Sequence, residues 1–135
     1  MNLRVGCHKV SPGSATGESI VTRAALSFLG NVNPETGVVV DPGHELYGKC
    51  IAGKILIFPR GKGSTVGSYI IYQLKKRGKA PLAMINLKSE PIVAIGAVIS
   101  GIPLVDGVAE EMLHLRDGTH MTVNADKGLI EISGT

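Results

Sequence analysis

One glycine-rich, basic segment of the chain carries the residue types best suited to chemistry. It follows an apolar run, Ile55 to Phe58, and leads into a helical pattern from Thr65 to Arg77. At such a helix start, backbone N–H groups and the positive end of the helix dipole attract anions, and glycine lets a ligand approach closely. The segment therefore predicts an anion-binding site. It reads Pro59-Arg60-Gly61-Lys62-Gly63-Ser64-Thr65-Val66-Gly67-Ser68.

Ser64 is the candidate catalytic residue of this segment, and it occupies the position where we expect the N-cap of the helix. A serine at that position can cap the helix, bind a phosphate or do chemistry as an alkoxide. Arg60, Lys62 and the helix start would supply the positive potential that an alkoxide needs. The local sequence leaves the three roles open. The candidate substrate-binding residues around Ser64 are Arg60, Gly61, Lys62, Gly63, Thr65 and Ser68.

Two common uses of a loop of this kind are disfavoured. A Walker nucleotide-binding loop needs a glycine five residues before its Gly-Lys-Ser/Thr. Here Gly63 follows Lys62, and Leu56 stands where that glycine belongs. A serine-hydrolase triad is not visible, because no histidine adjoins Ser64. The four histidines are scattered, and we interpret them as surface or internally hydrogen-bonded residues: His8, His44, His114 and His120.

Composition favours one globular domain, residues 1–135. Hydrophobic residues make up 44% of the chain, enough for a core, and charged residues make up 19%, too few for a disordered chain. The net charge of +3 suits an acidic small molecule or an acidic partner. Nucleic-acid binding is disfavoured, because the aromatic content is 4% and the chain has no tryptophan for base stacking. We interpret the basic run Lys75 to Arg77 as the cationic last turn of the helix.

The sequence indicates a cytoplasmic protein that does not enter a membrane. No apolar run approaches the roughly 18 residues of a membrane span, and the N-terminal residues lack the apolar core of a signal peptide. Cys7 and Cys50 form no close metal-ligand pair. We interpret both as small buried apolar residues, and we expect no metal site on this chain.

The order of elements predicts an α/β fold with three layers, β/β/α. Apolar spacing and Gly/Pro punctuation predict helices from Thr65 to Arg77 and from Pro91 to Ser100, with a short helix over 109–112. Residues 27–37 are predicted as an ordered loop. The predicted strands are 5–10, 18–22, 38–40, 55–58, 82–87, 103–105, 119–124 and 129–132.

Several segments taken together resemble the aconitase X swivel domain family. The resemblance covers residues 10–108, and the family fold is a swivelling β/β/α domain like the small domain of aconitase, in agreement with the element order. The segments that carry the resemblance are Gly13-Ser14-Ala15-Thr16-Gly17-Glu18, Ala25-Leu26-Ser27-Phe28-Leu29-Gly30-Asn31-Val32-Asn33-Pro34-Glu35-Thr36-Gly37, the Pro59 to Ser68 segment and Gly78-Lys79-Ala80-Pro81-Leu82-Ala83.

The resemblance implies a hydro-lyase that removes water from (R)-5-phosphomevalonate to give trans-anhydromevalonate 5-phosphate, in a modified mevalonate route to isoprenoids. It implies that a serine of the swivel domain removes the proton, and the matching residue is Ser64. An iron–sulfur [4Fe–4S] cluster acts on the leaving hydroxyl in this class. Two distant cysteines cannot hold a cluster that is usually bound by cysteine thiolates. We therefore expect a large partner subunit to hold it, with this chain active only in a heterodimer or larger assembly.

Three alternatives remain. The chain could be the small subunit of another aconitase-like dehydratase, acting on a hydroxyproline or a hydroxy acid. It could be a non-catalytic anion-binding module. A phosphohistidine carrier shares the swivelling architecture and the element Ser-Pro-Gly-x-Ala-x-Gly, present here from Ser11 to Gly17. That carrier needs a histidine at the helix start, where this chain has Ser64 to Ser68 with none.

Overall fold

Eight strands form a continuous hydrogen-bonded sheet in the computed structural model, which describes residues 2–133. The predicted domain 1–135 therefore has three residues, 1, 134 and 135, outside the described part. The strands follow the order β1-β8-β7-β3-β4-β5-β6-β2 across the sheet. Their bounds are β1 (Asn2–Gly6), β2 (His8–Ser11), β3 (Ser14–Val21), β4 (Ile55–Ile57), β5 (Ala83–Ile85), β6 (Leu104–Asp106), β7 (His120–Asn124) and β8 (Leu129–Ser133).

Both long helices have ten residues. The helices are α1 (Phe28–Asn31), α2 (Gly67–Lys76) and α3 (Pro91–Ser100), followed by a 3-10 helix, Glu110–His114. Within residues 2–133, no helix has the length and apolar character needed to cross a bilayer. The α3 helix has the predicted bounds: Pro91 starts it, and Gly101 ends it in the left-handed conformation at φ 67°.

Strand β3 belongs to both halves of this continuous array, which it divides into two sheets that pack face to face. Its first part, residues 14–18, pairs antiparallel with β7, and residues 19–21 pair parallel with β4. One sheet, β1-β8-β7-β3, is therefore antiparallel throughout. The other, β3-β4-β5-β6-β2, is parallel except for the edge strand β2.

Two hydrophobic cores lie on opposite faces of the mostly parallel sheet. Alternate strand residues point to opposite faces, so Leu56 joins one core while Ile55 and Ile57 join the other. The first core fills the space between this sheet and the helices α2 and α3. The second fills the space between the two sheets. This arrangement is the predicted three-layer β/β/α architecture, which is confirmed. Fully buried residues of the helix-side core include Leu56, Ile71, Leu74, Met84, Val93 and Leu104; those between the sheets include Ile57, Ile85, Val105, Met121, Val123 and Ile130.

Two of the strand predictions are wrong. Residues 38–40 form only single bridges, Val32 with Val39 and Val38 with Cys50, because turns on both sides prevent a longer ladder. The predicted strand 5–10 divides at Cys7, whose N–H donates to the carbonyl of Gly128 at 3.0 Å. The halves on either side, β1 and β2, are edge strands of different sheets.

The two cysteines differ in environment. Cys7 is half-buried beside the core between the sheets, and burial, followed by the negative charge of Asp106, raises the pKa of its thiol. Cys50 is exposed, so the prediction that both cysteines are buried is wrong for this residue. The residues before it, 47–49, are exposed as well, and burial begins at Ile51.

The parallel strands β3, β4, β5 and β6 end at one edge of their sheet, and the loops that follow them meet there. In open α/β sheets this edge is the usual place for a ligand site. The loop after β4 contains the glycine-rich segment, and the loop after β5 leads directly into the start of α3. The fold therefore brings these two connections together at one end of the molecule.

Candidate functional site

The glycine-rich segment forms an open loop between β4 and α2. Arg60, Lys62 and Ser64 are exposed in it, as are Gly63 and Thr65. Gly61 is buried and fixes the base of the loop. The chain therefore presents two cationic side chains and a serine hydroxyl on one exposed loop after β4.

Ser64 closes a turn that precedes α2. Its hydroxyl oxygen accepts the N–H of Val66 at 3.1 Å, and its carbonyl accepts the N–H of Gly67 at 2.9 Å. The N-cap position falls at Val66, in the helical conformation, so the prediction of Ser64 as the N-cap is wrong. The extra turn moves the helix start two residues past Thr65 and uses the first N–H groups of the helix internally.

The donors available to an anion come from the loop rather than from the helix end. Within residues 2–133, the backbone N–H groups of Gly63, Ser64 and Thr65 have no hydrogen-bond acceptor. Gly63 has φ +93°, a conformation that suits glycine and turns the chain sharply at this point. Successive free N–H groups in such a turn form a concave anion-binding surface.

The chain before α1 supports the loop from one side. Leu26 donates its N–H to the carbonyl of Arg60 and accepts the N–H of Lys62, both at 3.1 Å. The hydroxyl of Ser27 lies where a Cβ at Gly63 would point, so residue 63 has no room for a side chain. Sequence analysis placed Ser27 in a predicted loop and missed this contact, which joins residues far apart in the chain.

The start of α3 supports the loop from the other side. The Glu90 carboxylate caps this helix by accepting the N–H of Ile92 at 2.9 Å and that of Val93 at 2.7 Å. A Cβ at Gly61 would collide with this carboxylate and with Val93. The loop is therefore packed against the α3 cap, and Glu90 is a second neighbour of the site that sequence analysis missed.

Ser68 links the two long helices, α2 and α3, by a hydrogen bond. Its hydroxyl donates to the carbonyl of Ile92 at 2.6 Å, and the side chain is half-buried. This bond holds the start of α2 against the start of α3. A substrate contact for Ser68 stays a prediction, and any such contact has to share the hydroxyl with this internal bond.

A second polar cluster lies on the loop that follows β3. The Glu45 carboxylate accepts the hydroxyl of Thr22 at 2.6 Å and the N–H of Arg23 at 2.8 Å. These two hydrogen bonds, in that order, lower the pKa of Glu45, and the charges of Arg23 and His44 assist. The Arg23 guanidinium donates to Nδ1 of His114 at 2.9 Å. The cluster fixes the chain that leads from β3 to the support of the glycine-rich loop.

Glu45→Gln should lower stability at neutral pH more than at acid pH. The folded-state pKa of Glu45 is lowered, so its stabilising contribution is present above the unfolded-state pKa and is lost as pH falls through the folded-state pKa. The difference in unfolding midpoint between the wild-type chain and the variant should therefore shrink from pH 7 to pH 3. Glu35→Gln, which removes one carboxylate from an exposed turn, is the matched control. An equal difference at both pH values would contradict the role assigned to Glu45.

The cysteines of this chain do not fit an iron–sulfur cluster. Cys7 packs beside the core between the sheets, and Cys50 lies on the surface in the long connection between α1 and β4. Such a cluster is usually held by three or four thiolates. In the part of the chain that the structure describes, no group of three or more His, Cys, Asp or Glu is arranged to hold a metal ion. With only two cysteines, the chain lacks the thiolates that such a cluster needs.

The layers and the loop define the class of protein. Two packed sheets, helices on one outer face and a glycine-rich loop at the ends of the parallel strands form a swivel-type α/β domain. The chain belongs to the aconitase X swivel domain family, whose model matches residues 4–132. The predicted family is confirmed, and the match extends past both ends of the segment, 10–108, on which the resemblance rests.

Two relatives and one solved structure are similar to this chain over nearly its whole length. The phosphomevalonate dehydratase small subunit of Methanothrix thermoacetophila is 66% identical, covering 95% of this chain and 93% of that protein. The protein of the same name from Methanococcoides burtonii is 53% identical over 98% and 97%. The crystal structure of Thermococcus kodakaraensis aconitase X in its holo-form superposes with a TM-score of 0.93 at 54% identity, covering 98% of this chain and 99% of that one.

Proposed function

We propose that this chain is the small subunit of a phosphomevalonate dehydratase. The observation that carries the proposal is the 66% identity, across almost the full length of both chains, to a protein of that name. The enzyme is a hydro-lyase: it removes water from (R)-5-phosphomevalonate and leaves trans-anhydromevalonate 5-phosphate. The exposed basic loop at the sheet edge suits such a substrate, which carries a phosphate and a carboxylate.

We assign Ser64 as the general base. Its alkoxide takes a proton from the carbon next to the one that bears the hydroxyl, and the electrons of that C–H bond form the new double bond. The hydroxyl departs with its bonding electron pair and takes up one proton to become water. Ser64 then releases the proton that it took, which restores the alkoxide and balances the proton consumed. The N–H of Val66 donates to Ser64 Oγ at 3.1 Å. A hydrogen bond to the charged form favours that form, so this contact and the nearby cations Arg60 and Lys62 stabilise the alkoxide.

We assign anion binding to the loop around Ser64. Arg60 and Lys62 supply positive charge, while the free N–H groups of Gly63 and Thr65 supply directed donors. The buried Gly61 sets the position of the loop against α3. Ser68 is the remaining candidate, and it contributes either a direct contact or the link between α2 and α3 that holds the loop in place.

The relatives are named small subunits, which implies a large-subunit partner. We propose that the large subunit docks over the exposed loop, completes the active site and forms a heterodimer as the smallest working unit. We also propose that it holds a [4Fe–4S] cluster, which supplies a Lewis acid for the departing hydroxyl. A cytoplasmic location suits this assembly, because a phosphorylated substrate does not cross an apolar bilayer readily.

Reconstitution with the large subunit tests the proposal. The two chains are co-expressed, the cluster is reconstituted without oxygen, and loss of water from 5-phosphomevalonate is measured for the complex and for each subunit alone. Turnover by the complex only is the expected result. A stable complex that is inactive on this substrate but dehydrates a hydroxy acid or a hydroxyproline would move the chain to another aconitase-like dehydratase. Failure to form any complex would overturn the proposal.

A further inference from the structure

We propose that the Asn31–Asp41 pair is a positioning device for the catalytic loop, acting through Ser27 on Gly63 and so on Ser64. Neither residue of the pair belongs to the glycine-rich segment. The inference rests on the proposed role of Ser64 as the base, and it adds residues that hold that base in its working geometry.

The pair has a single hydrogen-bond arrangement. Asn31 is 7% exposed; its Oδ1 accepts the N–H of Ser27 at 2.7 Å, and its Nδ2 donates to Asp41 Oδ2 at 2.8 Å. The second carboxylate oxygen, Asp41 Oδ1, accepts the N–H of Gly43 at 2.9 Å. Because a carboxylate only accepts, it fixes which end of the Asn31 amide faces it and therefore which end faces Ser27.

Ser27 carries this constraint to the catalytic loop. Its hydroxyl donates to the carbonyl of Leu29 at 2.7 Å, which holds Oγ directly beside Gly63. The adjoining Leu26 exchanges two hydrogen bonds with the loop, so the two segments move together. Gly63 is covalently next to Ser64, and a shift of Ser27 is therefore passed on to the base.

The backbone of this segment gives Ser27 one local hydrogen bond, in which its carbonyl accepts the N–H of Asn31 at 3.0 Å. Helix α1 has only four residues, and two of them are not helical: Leu29 has ψ 117° and Gly30 has φ 100°. The ladder of hydrogen bonds that stabilises a longer helix is limited here to two, from Asn31 N–H to Ser27 and from Val32 N–H to Phe28. The side-chain network of Asn31 and Asp41 adds a second hydrogen bond to Ser27, at its N–H, which is a positioning role for the pair.

The test exchanges the two side chains. Asn31→Asp places two carboxylates in contact, and their repulsion disrupts the link to Ser27. Asp41→Asn in the same chain restores it with the donor reversed: the carboxylate at position 31 accepts from both the N–H of Ser27 and the amide at position 41. That amide still offers its oxygen to the N–H of Gly43. We expect kcat of the reconstituted complex to fall by about 100-fold in the single variant and to recover to within a few-fold in the exchange.

Three further readouts separate the possible outcomes. Complex formation and thermal midpoint are measured for every variant, and amide resonances of Gly63 and Ser64 are followed in the complex with a ¹⁵N-labelled small subunit. Asp41→Asn alone is the milder second variant, in case the repulsive one does not assemble. It loses one of the two carboxylate acceptors, and we expect an intermediate fall in kcat.

Unchanged kcat in Asn31→Asp, or an exchange that restores the thermal midpoint but not kcat, would overturn the positioning role. If the wild-type complex does not dehydrate phosphomevalonate, the proposed function fails instead. The resonances then decide the inference: those of Gly63 and Ser64 should shift in the single variant and return in the exchange. Resonances that stay in place in all variants would overturn it independently of activity.

Discussion

Replacing Ser64 by alanine is expected to lower kcat of the assembled enzyme by about 10²–10⁴-fold, the range for removal of a general base. The side chain is exposed at the tip of the loop, and its one hydrogen bond in the described chain is the one from the N–H of Val66. Val66 is exposed, so its N–H can donate a hydrogen bond to a water molecule when the hydroxyl is removed. The thermal midpoint and the affinity for the large subunit should therefore stay close to wild type.

Ser14→Ala is the matched control for this variant. Ser14 is an exposed serine at the start of β3, opposite Asn124 and at the other end of the strand from the loop. Turnover by this control should equal that of the wild type. If Ser64→Ala also turns over near normally while the complex forms, another group removes the proton, and the assignment of Ser64 as the base is wrong.

Gly61→Ala is expected to have the second largest effect, on both stability and turnover. The residue is buried, and a Cβ would collide with the Glu90 carboxylate and with Val93. Relief requires the α3 cap or the loop to move. Overpacking of this kind lowers the free energy of unfolding by about 1–3 kcal/mol, with about 1 kcal/mol more if the cap is lost. Displacement of the loop should lower kcat by about 100-fold.

A shorter capping residue should relieve part of this collision. Glu90→Asp retains a preferred N-cap carboxylate and is one methylene shorter. The double variant with Gly61→Ala should therefore regain part of the thermal midpoint and of kcat. Gly6→Ala is the control, because a Cβ at this exposed position of β1 meets nothing within 4 Å. Equal thermal midpoints for wild type and Gly61→Ala would show that the α3 cap moves freely. The contact between Gly61 and the cap would then make no contribution to stability.

Sequence analysis correctly predicted the bounds of α3 and the three-layer architecture. Helix α3 has both predicted bounds, since Pro91 suits a first helical position and Gly101 adopts the left-handed conformation that ends the helix. The order of strands and helices indicated the three layers, because strands followed by crossing helices form a parallel sheet with a covered face. The helix bounds depend on a few neighbouring residues, and the layers depend only on the order in which the elements follow one another.

The predicted helix start at Thr65 was two residues early for a physical reason. A serine before an apolar periodic run is the usual sign of an N-cap, but here Ser64 closes a turn of its own through Val66 and Gly67. Both arrangements use the same hydroxyl–amide bond. Propensity therefore does not distinguish them, and only the folded chain shows that the helix begins at Gly67.

The supports of the candidate site could not be predicted from the sequence. Ser27 contacts Gly63, and Glu90 contacts Gly61. The two residues of each pair are far apart in the chain. Periodicity and turn chemistry report on neighbours in sequence, so neither pattern identifies these partners. The valines at 38–40 show the converse error: β-branched residues indicated a strand, while the turns that flank them allowed only single bridges. Short motifs were enough to identify the family, whereas the roles of the individual loop residues depend on contacts that only the folded chain makes.

The pairing of the first strand with the last has a consequence for how the chain could be rearranged. Asn2 lies opposite Ser133 in the β1–β8 ladder, and opposed residues of antiparallel strands are only about 5 Å apart. A short linker between them would close the backbone into a ring without disturbing any strand pair. New ends could then be opened at Asp126 and Lys127, two exposed residues of the turn between β7 and β8. A circular permutant of this kind would keep the sheet and the glycine-rich loop, so the architecture depends on which strands meet and not on where the chain starts.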